Sequence, residues 1–290
     1  VLCVHGYCQS SAYWAPTLDR LAGAGVRGLA PDLPGFGASA RLPGPYTMEA
    51  YADGLATLLD ARGLERVALV GGSMGGVVAQ HFALRHPARL ARLLLVATGG
   101  AMGDPAAGRA RADAVAAAPW DAAAVEPMVA GFFRDPPPPE RVAEYRRIAL
   151  MASQAAAVEA ARSNAGSRTL ERLGEIRVPT LIIQGRHDRA RTPEHGAAMR
   201  DRIPGTIVFL FQPAEEGAPL GEEGGATLMV KEGALSDPKP GAVFGLHVVP
   251  GPVGHVMTRK GPFMAGSDRL DIKLQGRGTH GAQPWNGVDL

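Results

Sequence analysis

The chain has 290 residues, enough for one large α/β domain or two smaller ones, and either would bury a sizeable core. With 46 % hydrophobic residues, 20 % charged residues and a formal net charge of +2, the composition excludes a disordered tail or a polyanion binder, so no nucleic-acid partner is expected. No apolar run reaches the length of a membrane span and the first residues lack a secretory leader pattern, so no membrane partner and a cytoplasmic location are expected. Cys3 and Cys8 are the only cysteines, neither a disulfide framework nor a paired zinc-ligand pattern, which fits a reducing compartment.

In chain order, the first element is the apolar run VLCVHG; since it begins at Val1, a natural start further upstream is expected. VRGLAPD, RVALVGG, RLLLVATGG and PTLIIQGRHD follow as further strand signals separated by helical or loop stretches, the pattern of a parallel sheet with crossover helices. Between Ala101 and Ile176 the strand signals stop. Helical stretches such as PERVAEYRRIALMASQAAAVEAARS, following the stiff surface loop DPPPPE, indicate a helical insertion. A helix is expected from Pro193 to Arg202, then a Pro-Gly turn. At that turn the composition changes: residues 1–205 hold 23 arginines and no lysine, whereas residues 206–290 hold 3 arginines and 4 lysines. Two histories meet there, and VFGLHVV and RLDIKLQG are the strand signals of the second.

The strongest motif is Gly71-Gly72-Ser73-Met74-Gly75, with a β-branched apolar strand before it and a helix after it. A serine at such a turn takes strained backbone angles that push its hydroxyl outward, and the flanking glycines let strand and helix approach closely. A phosphate-cradling loop would need the Lys-Ser/Thr ending that is absent here. With VLCVHGYCQS, LAPDLPGFGAS and PTLIIQGRHD in the same order, residues 1–205 resemble the α/β-hydrolase family. The resemblance implies a parallel sheet with a helical cap at about 101–176 and Ser73 as nucleophile. It further implies Asp188 as triad acid and the backbone N–H groups of Tyr7 and Met74 as oxyanion donors. It implies a small ester, amide or related acyl substrate and no cofactor. His5 and Asp32 are read as structural.

A serine hydroxyl needs a base, and the family places a histidine after the helix and strand that follow the acid. That position holds Gln212-Pro213-Ala214-Glu215-Glu216-Gly217, with no histidine. His187 adjoins the acid and His195 starts the following helix, so each reads as a polar loop or helix-start residue. His81 and His86 read as packing or helix-end residues, and His247 and His255 lie beyond the expected place. A glutamate in the base's position would set two anions where an imidazole belongs between acid and serine.

Residues 206–290, with QPAEEG, GLHV and DRLDIKLQGRGTHGAQPWNGVD, resemble the zinc-dependent N-acyl amino acid amidohydrolases of hippurate-hydrolase and aminoacylase type. The resemblance implies Glu215 as general base, Glu216 and His247 as ligands of zinc or another divalent metal, and His280 as a substrate contact across a dimer. It implies an incomplete α/β metallo-amidohydrolase fragment that includes the start of a dimerisation domain. Two protein ligands fall short of the three that a catalytic zinc normally has. Exposed strand edges in this segment lead to an expected homodimer. Three readings stay open: a serine hydrolase without an identifiable triad histidine, a metal-dependent amidohydrolase fragment, and a non-catalytic chimeric product.

Overall fold

The structure is a computed structural model that describes residues 1–39, 41–133, 137–185, 188–204, 228 and 230–233. The chain divides into two units, Val1–Ala242 and Val243–Leu290, and every described residue belongs to the first.

Four parallel strands form one sheet in the order β1 (Leu2–Val4), β2 (Val67–Gly72), β3 (Leu90–Val96) and β4 (Thr180–Ile183). Leu69 pairs with Leu2 on one side and Leu93 on the other, and Leu93 pairs in turn with Thr180. Leu2, Leu69, Leu93 and Leu95 are buried on one face and Cys3 and Val70 on the other, as expected of a parallel sheet covered on both faces. The stretch VRGLAPD does not form the expected strand. It makes one parallel bridge, Leu29 to Leu2, with Cys3 N–H donating to Leu29 O and Leu29 N–H to Val1 O. Pro31 and Pro34 have no N–H to continue a ladder, which ends the pairing there.

Helix α1 (Ala15–Gly23) follows a short 3-10 turn, Ser11–Trp14. Helix α2 (Met48–Ala61) is capped by Thr47, whose hydroxyl accepts from Ala50 N–H at 3.1 Å. It buries Met48, Tyr51, Ala52, Leu55, Ala56 and Leu59, a stripe at helical spacing. Helix α3 (Met74–Arg85) is buried nearly all round, because it lies between the sheet and α2.

Between β3 and β4 the chain forms the expected helical insertion: α4 (Pro105–Ala117), α5 (Ala122–Ala130), α6 (Pro139–Leu150) and α7 (Gln154–Gly166). Asp104, Asp121 and Ser153 cap α4, α5 and α7 through side-chain oxygens. Small residues set the packing of α4 on α7, where a Cβ on Gly108 would lie 2.7 Å from that of Ala165. The insertion is tied to the core at several points. Ser153 N–H donates to Gly35 O at 2.8 Å, and Met48 N–H to Ser163 Oγ at 3.0 Å. After β4, helix α8 spans Pro193–Arg200, two residues shorter than expected, and a turn runs through Asp201 and Arg202. No helix among the described residues is long and apolar enough to cross a membrane.

Gly35 and Gly63 both have left-handed backbones, φ +83° and +60°, but a Cβ on Gly35 would lie 2.3 Å from that of Ala156, whereas Gly63 faces open space. Gly63→Ala should therefore cost about 1 kcal/mol, the strain alone. Gly35→Ala should cost roughly 1–3 kcal/mol more from overpacking against α7. Urea unfolding of the two variants measures the difference, and equal midpoints would contradict the contact between insertion and core.

Candidate active site

Ser73 stands between the end of β2 and the start of α3 with φ 51° and ψ −118°, one of three non-glycine residues with positive φ among those described. It is exposed, although Gly71, Gly72, Met74, Gly75 and Gly76 around it are buried. The glycines are there for clearance. A Cβ on Gly71 would sit 2.3 Å from Gly75 O, one on Gly75 2.4 Å from the carbonyl oxygens of Val4 and His5, and one on Gly76 2.6 Å from the Thr98 side chain. Backbone and side-chain hydrogen bonds hold the strained residue on both sides. Ser73 N–H donates to Val96 O at 2.9 Å, while Ser73 O accepts from Gly76 N–H at 3.0 Å and from the buried Thr98 hydroxyl at 2.7 Å.

The loop after β1 lies directly against this turn, since a Cβ on Gly6 would be 3.3 Å from Ser73 Cβ. Leu33 N–H donates to His5 Nε2 at 3.0 Å, so the proton of the neutral ring is on Nδ1, which donates to Gly6 O at 2.8 Å. Burial lowers the His5 pKa, and the bond to Gly6 and the nearby Asp32 carboxylate only partly oppose it. Asp32 accepts from Ser11 N–H at 2.5 Å and from Ala38 N–H at 2.7 Å. Burial acts to raise its pKa, but these hydrogen bonds outweigh burial and hold it below the usual value. Gln9, which the sequence did not single out, accepts from Gly6 N–H through Oε1 at 2.9 Å. Tyr7 is half-buried on this loop, with its phenol pKa raised first by burial and then by the neighbouring Cys8. Met74 is the first residue of α3, so its N–H has no carbonyl one turn earlier in the helix to receive it.

Asp188 lies five residues beyond β4 and is half-buried. Its Oδ1 accepts from Ala190 N–H at 2.9 Å and Arg191 N–H at 2.8 Å, forming a tight carboxylate-centred turn. The ends of β2, β3 and β4 are level, because Ala97 N–H donates to Ile183 O at 2.8 Å just as Ser73 N–H donates to Val96 O. Ser73 and the segment that leads to Asp188 therefore leave the sheet at the same, carboxyl-terminal end of its strands. His195 lies in the first turn of α8, with Nδ1 3.2 Å from Thr192 Oγ1 and its side chain against Gly99. His81 bonds Ser167 at 2.9 Å and His86 bonds Asp53 at 2.8 Å, so both serve packing and a helix end. Glu215, Glu216, His247, His280, His187 and His255 lie outside the described residues. Among the described residues no group of three or more His, Cys, Asp or Glu side chains is placed to hold a metal ion. Thr98 and Gln9 escaped the sequence reading because an isolated hydroxyl or amide has no periodic or motif signal.

Residues 1–222 match the family model described as alpha/beta hydrolase fold. The chain belongs to the α/β-hydrolase fold family. Residues 190–275 also match the model of peptidase family M20/M25/M40, so the α/β hydrolase is fused to an M20-type segment and the two matches overlap at residues 190–222. Among solved structures, the chain is similar to a thermophilic esterase from Thermogutta terrifontis, with 32 % identity, a TM-score of 0.62, and 71 % of this chain and 78 % of that one covered. It is also similar to a hydrolase from Pseudomonas aeruginosa PA01, with 29 % identity, a TM-score of 0.64 and the same coverage. Two curated relatives are similar over shorter stretches. An N-acetyldiaminopimelate deacetylase of Bacillus cytotoxicus is 42 % identical over 95 residues, 32 % of this chain and 24 % of that protein. An IAA-amino acid hydrolase ILR1-like 4 of Arabidopsis thaliana is 38 % identical over 119 residues, 39 % of this chain and 26 % of that protein. The chain thus spans about a quarter of the length of these curated relatives.

Two measurements test the local physics. Thr98→Val keeps the shape but removes the hydroxyl that bonds Ser73 O, and should destabilise by about 1–3 kcal/mol, whereas Thr98→Ser should lose less. Chemical unfolding of the two variants decides, and a neutral Thr98→Val would remove the hydroxyl from the account. His5, with a lowered folded-state pKa, contributes stability that is present above its ordinary value of about 6.5 and is lost as pH falls toward the folded value. Nitrogen NMR should find the ring neutral and protonated on Nδ1 well below pH 6.5, and titration at the ordinary value would refute the buried tautomer.

Proposed function

We propose that the hydrolase domain is a serine hydrolase that acts on a small ester, amide or related acyl compound through Ser73. The observation that carries this reading is the left-handed backbone of an exposed serine at a glycine-cleared strand-to-helix turn. Strain of this kind costs roughly 1–3 kcal/mol and persists only where the surroundings over-determine it, which makes it a pointer to function. Similarity to an esterase at 32 % identity supports the same substrate class.

In this reading the Ser73 oxygen bonds to the acyl carbon, the carbonyl electron pair moves to its oxygen, and the hydroxyl proton passes to a base. Tyr7 and Met74 N–H groups receive the oxyanion, which then expels the leaving group, and water releases the acyl group from Ser73. Asp188 is the proposed acid of the triad, its carboxylate held in place by the N–H groups of Ala190 and Arg191. The base is unassigned, and the acyl-transfer rate is expected to be low for that reason. Loss of one member of such a triad costs on the order of 10⁴–10⁶ in kcat.

A second reading has specific observations behind it, the M20-type match at residues 190–275 and the 42 % identity over 95 residues to an N-acetyldiaminopimelate deacetylase. It makes Glu215 a general base, Glu216 and His247 ligands of a divalent metal such as zinc, and His280 a substrate contact across a homodimer. Only two of these are metal ligands, and no step is assigned to the metal. The join between the two domains is proposed near residue 205, within the overlap of the two family matches.

A fluorophosphonate that reacts with activated serines separates the readings. Wild type is expected to label at one site and Ser73→Ala not at all, with slow hydrolysis of an activated ester that a chelator leaves unchanged. Equal labelling of both proteins removes Ser73 from the mechanism. Turnover that survives Ser73→Ala but not chelation would establish the metal reading. Absence of labelling, turnover and bound metal would leave a non-catalytic chimeric product.

A further inference from the structure

Gly6 stands against Ser73 and has no room for a side chain, since a Cβ there would lie 2.8 Å from Gln9 Oε1 and 3.3 Å from Ser73 Cβ. Glycine is also the residue with the most backbone freedom, which would blur the geometry of a loop that closes on an exposed serine. Both polar groups of Gly6 are tied down instead. Its N–H donates to Gln9 Oε1 at 2.9 Å, and its carbonyl accepts from the His5 ring at 2.8 Å and from Gln9 N–H at 3.3 Å. Gln9 thus grips Gly6 twice, once by its side chain and once by its backbone.

The bond from Gln9 N–H to Gly6 O closes a four-residue turn, Gly6-Tyr7-Cys8-Gln9. Its third residue, Cys8, is buried with φ 51°, a left-handed value that a turn of this kind ordinarily assigns to glycine. Strain at a non-glycine position persists only where surrounding contacts over-determine it, and the two Gln9 bonds are such contacts. The same bonds act on Tyr7. Gly6 C=O and Tyr7 N–H belong to one planar trans peptide, in which the two groups point in opposite directions. Fixing Gly6 therefore fixes the direction of Tyr7 N–H, which donates to no described residue.

We infer that Gln9 is a positioning residue for the proposed acyl transfer, whose side-chain oxygen holds Gly6 so that Tyr7 N–H is aimed at the oxygen that gains charge beside Ser73. Gln9 acts through Gly6 and not on the substrate. His5 shares the work at the carbonyl, but Gly6 N–H has only Gln9 as an acceptor among the described residues. Loss of the amide oxygen leaves that buried N–H unpaired, and rotation about the freed glycine turns the Gly6–Tyr7 peptide with it. The inference rests on the Ser73 reading, because an oxyanion donor has a role only where an oxyanion forms.

Two esters separate the aim of Tyr7 N–H from the stability of the fold. Nitrophenyl acetate and its thiono counterpart differ in the atom that gains charge during acylation of Ser73, and sulfur is a weaker hydrogen-bond acceptor than oxygen. N–H groups aimed at an oxyanion therefore favour the oxo ester. In single-turnover acylation of the intact chain, Gln9→Met, of similar length but without the amide oxygen, should slow the oxo ester about 10- to 100-fold. The thiono rate and the apparent KM should stay nearly unchanged, so the oxo-to-thiono ratio falls. Gln9→Ala, which leaves room for a water at Gly6 N–H, should show the same fall and serves if the methionine variant does not fold. Gln9→Glu retains an acceptor and should keep the wild-type ratio. Equal losses on both esters, or an unchanged ratio in Gln9→Met and Gln9→Ala, overturn the inference while acylation of Ser73 stands. No acyl group on Ser73 of wild type, read by mass at that residue, overturns both the serine mechanism and the role of Gln9.

Discussion

The left-handed backbone of Ser73 is the constraint around which the described structure is arranged. A non-glycine residue held there is strained, and the turn persists only because its neighbours admit no other path. Its N–H is committed to β3, its carbonyl to Gly76 and Thr98, and the glycines at 71, 75 and 76 are the positions where any side chain would collide with β1, with the turn itself or with Thr98. Four features that look separate in the sequence follow from this one requirement: the glycine spacing, the short strand ending at Val4, the buried threonine after β3, and the largely buried helix α3. The serine is left exposed at the sheet edge while everything that positions it is inside.

A second tier holds the neighbouring loop to that turn. His5 bridges Gly6 O and Leu33 N–H, Gln9 takes up Gly6 N–H, and Asp32 gathers the N–H groups of Ser11 and Ala38. All of these are polar groups aimed at backbone atoms, which makes loops as well defined as strands without any ladder. His5 and Asp32 each satisfy groups from two stretches of chain, so removing either would release both.

How much of this was legible in the sequence follows from which forces leave a periodic mark. Apolar runs such as VALVGG and LARLLLV announce buried parallel strands, and the glycines around Ser73 announce the turn, because clearance can be met by one residue type only. The insertion was visible as the loss of strand signals, and the change from arginine to lysine marked a difference in origin that packing would not reveal. VRGLAPD was misleading because its apolar residues satisfy the pattern of a strand while Pro31 withholds the donor that a ladder needs. Gln9 and Thr98 were silent for another reason. What they do depends on partners 3 and 25 residues away, and a single polar residue carries no mark of where it will be buried.

The two family matches give these observations a common consequence. The Ser73 turn is assembled from β1, β2, α3 and β3, all within residues 2–98, and the Asp188 turn from Asp188, Ala190 and Arg191, so each lies within the α/β-hydrolase match. In the proposed serine mechanism the base comes from another segment, and the M20-type match, which begins at residue 190, already covers part of the Asp188 turn. Metal ligands of an amidohydrolase are likewise gathered from several segments, and the curated relatives contribute only about a quarter of their length here. A join between families therefore spares what is local and interrupts what is distributed. The geometry of Ser73, the loop at Gly6 and the anchoring of Asp188 are local, because strain and hydrogen bonds over a few ångströms define them. Proton transfer and metal ligation are distributed. That division is how a chain fused across two families can keep the strained Ser73 turn intact on local contacts alone.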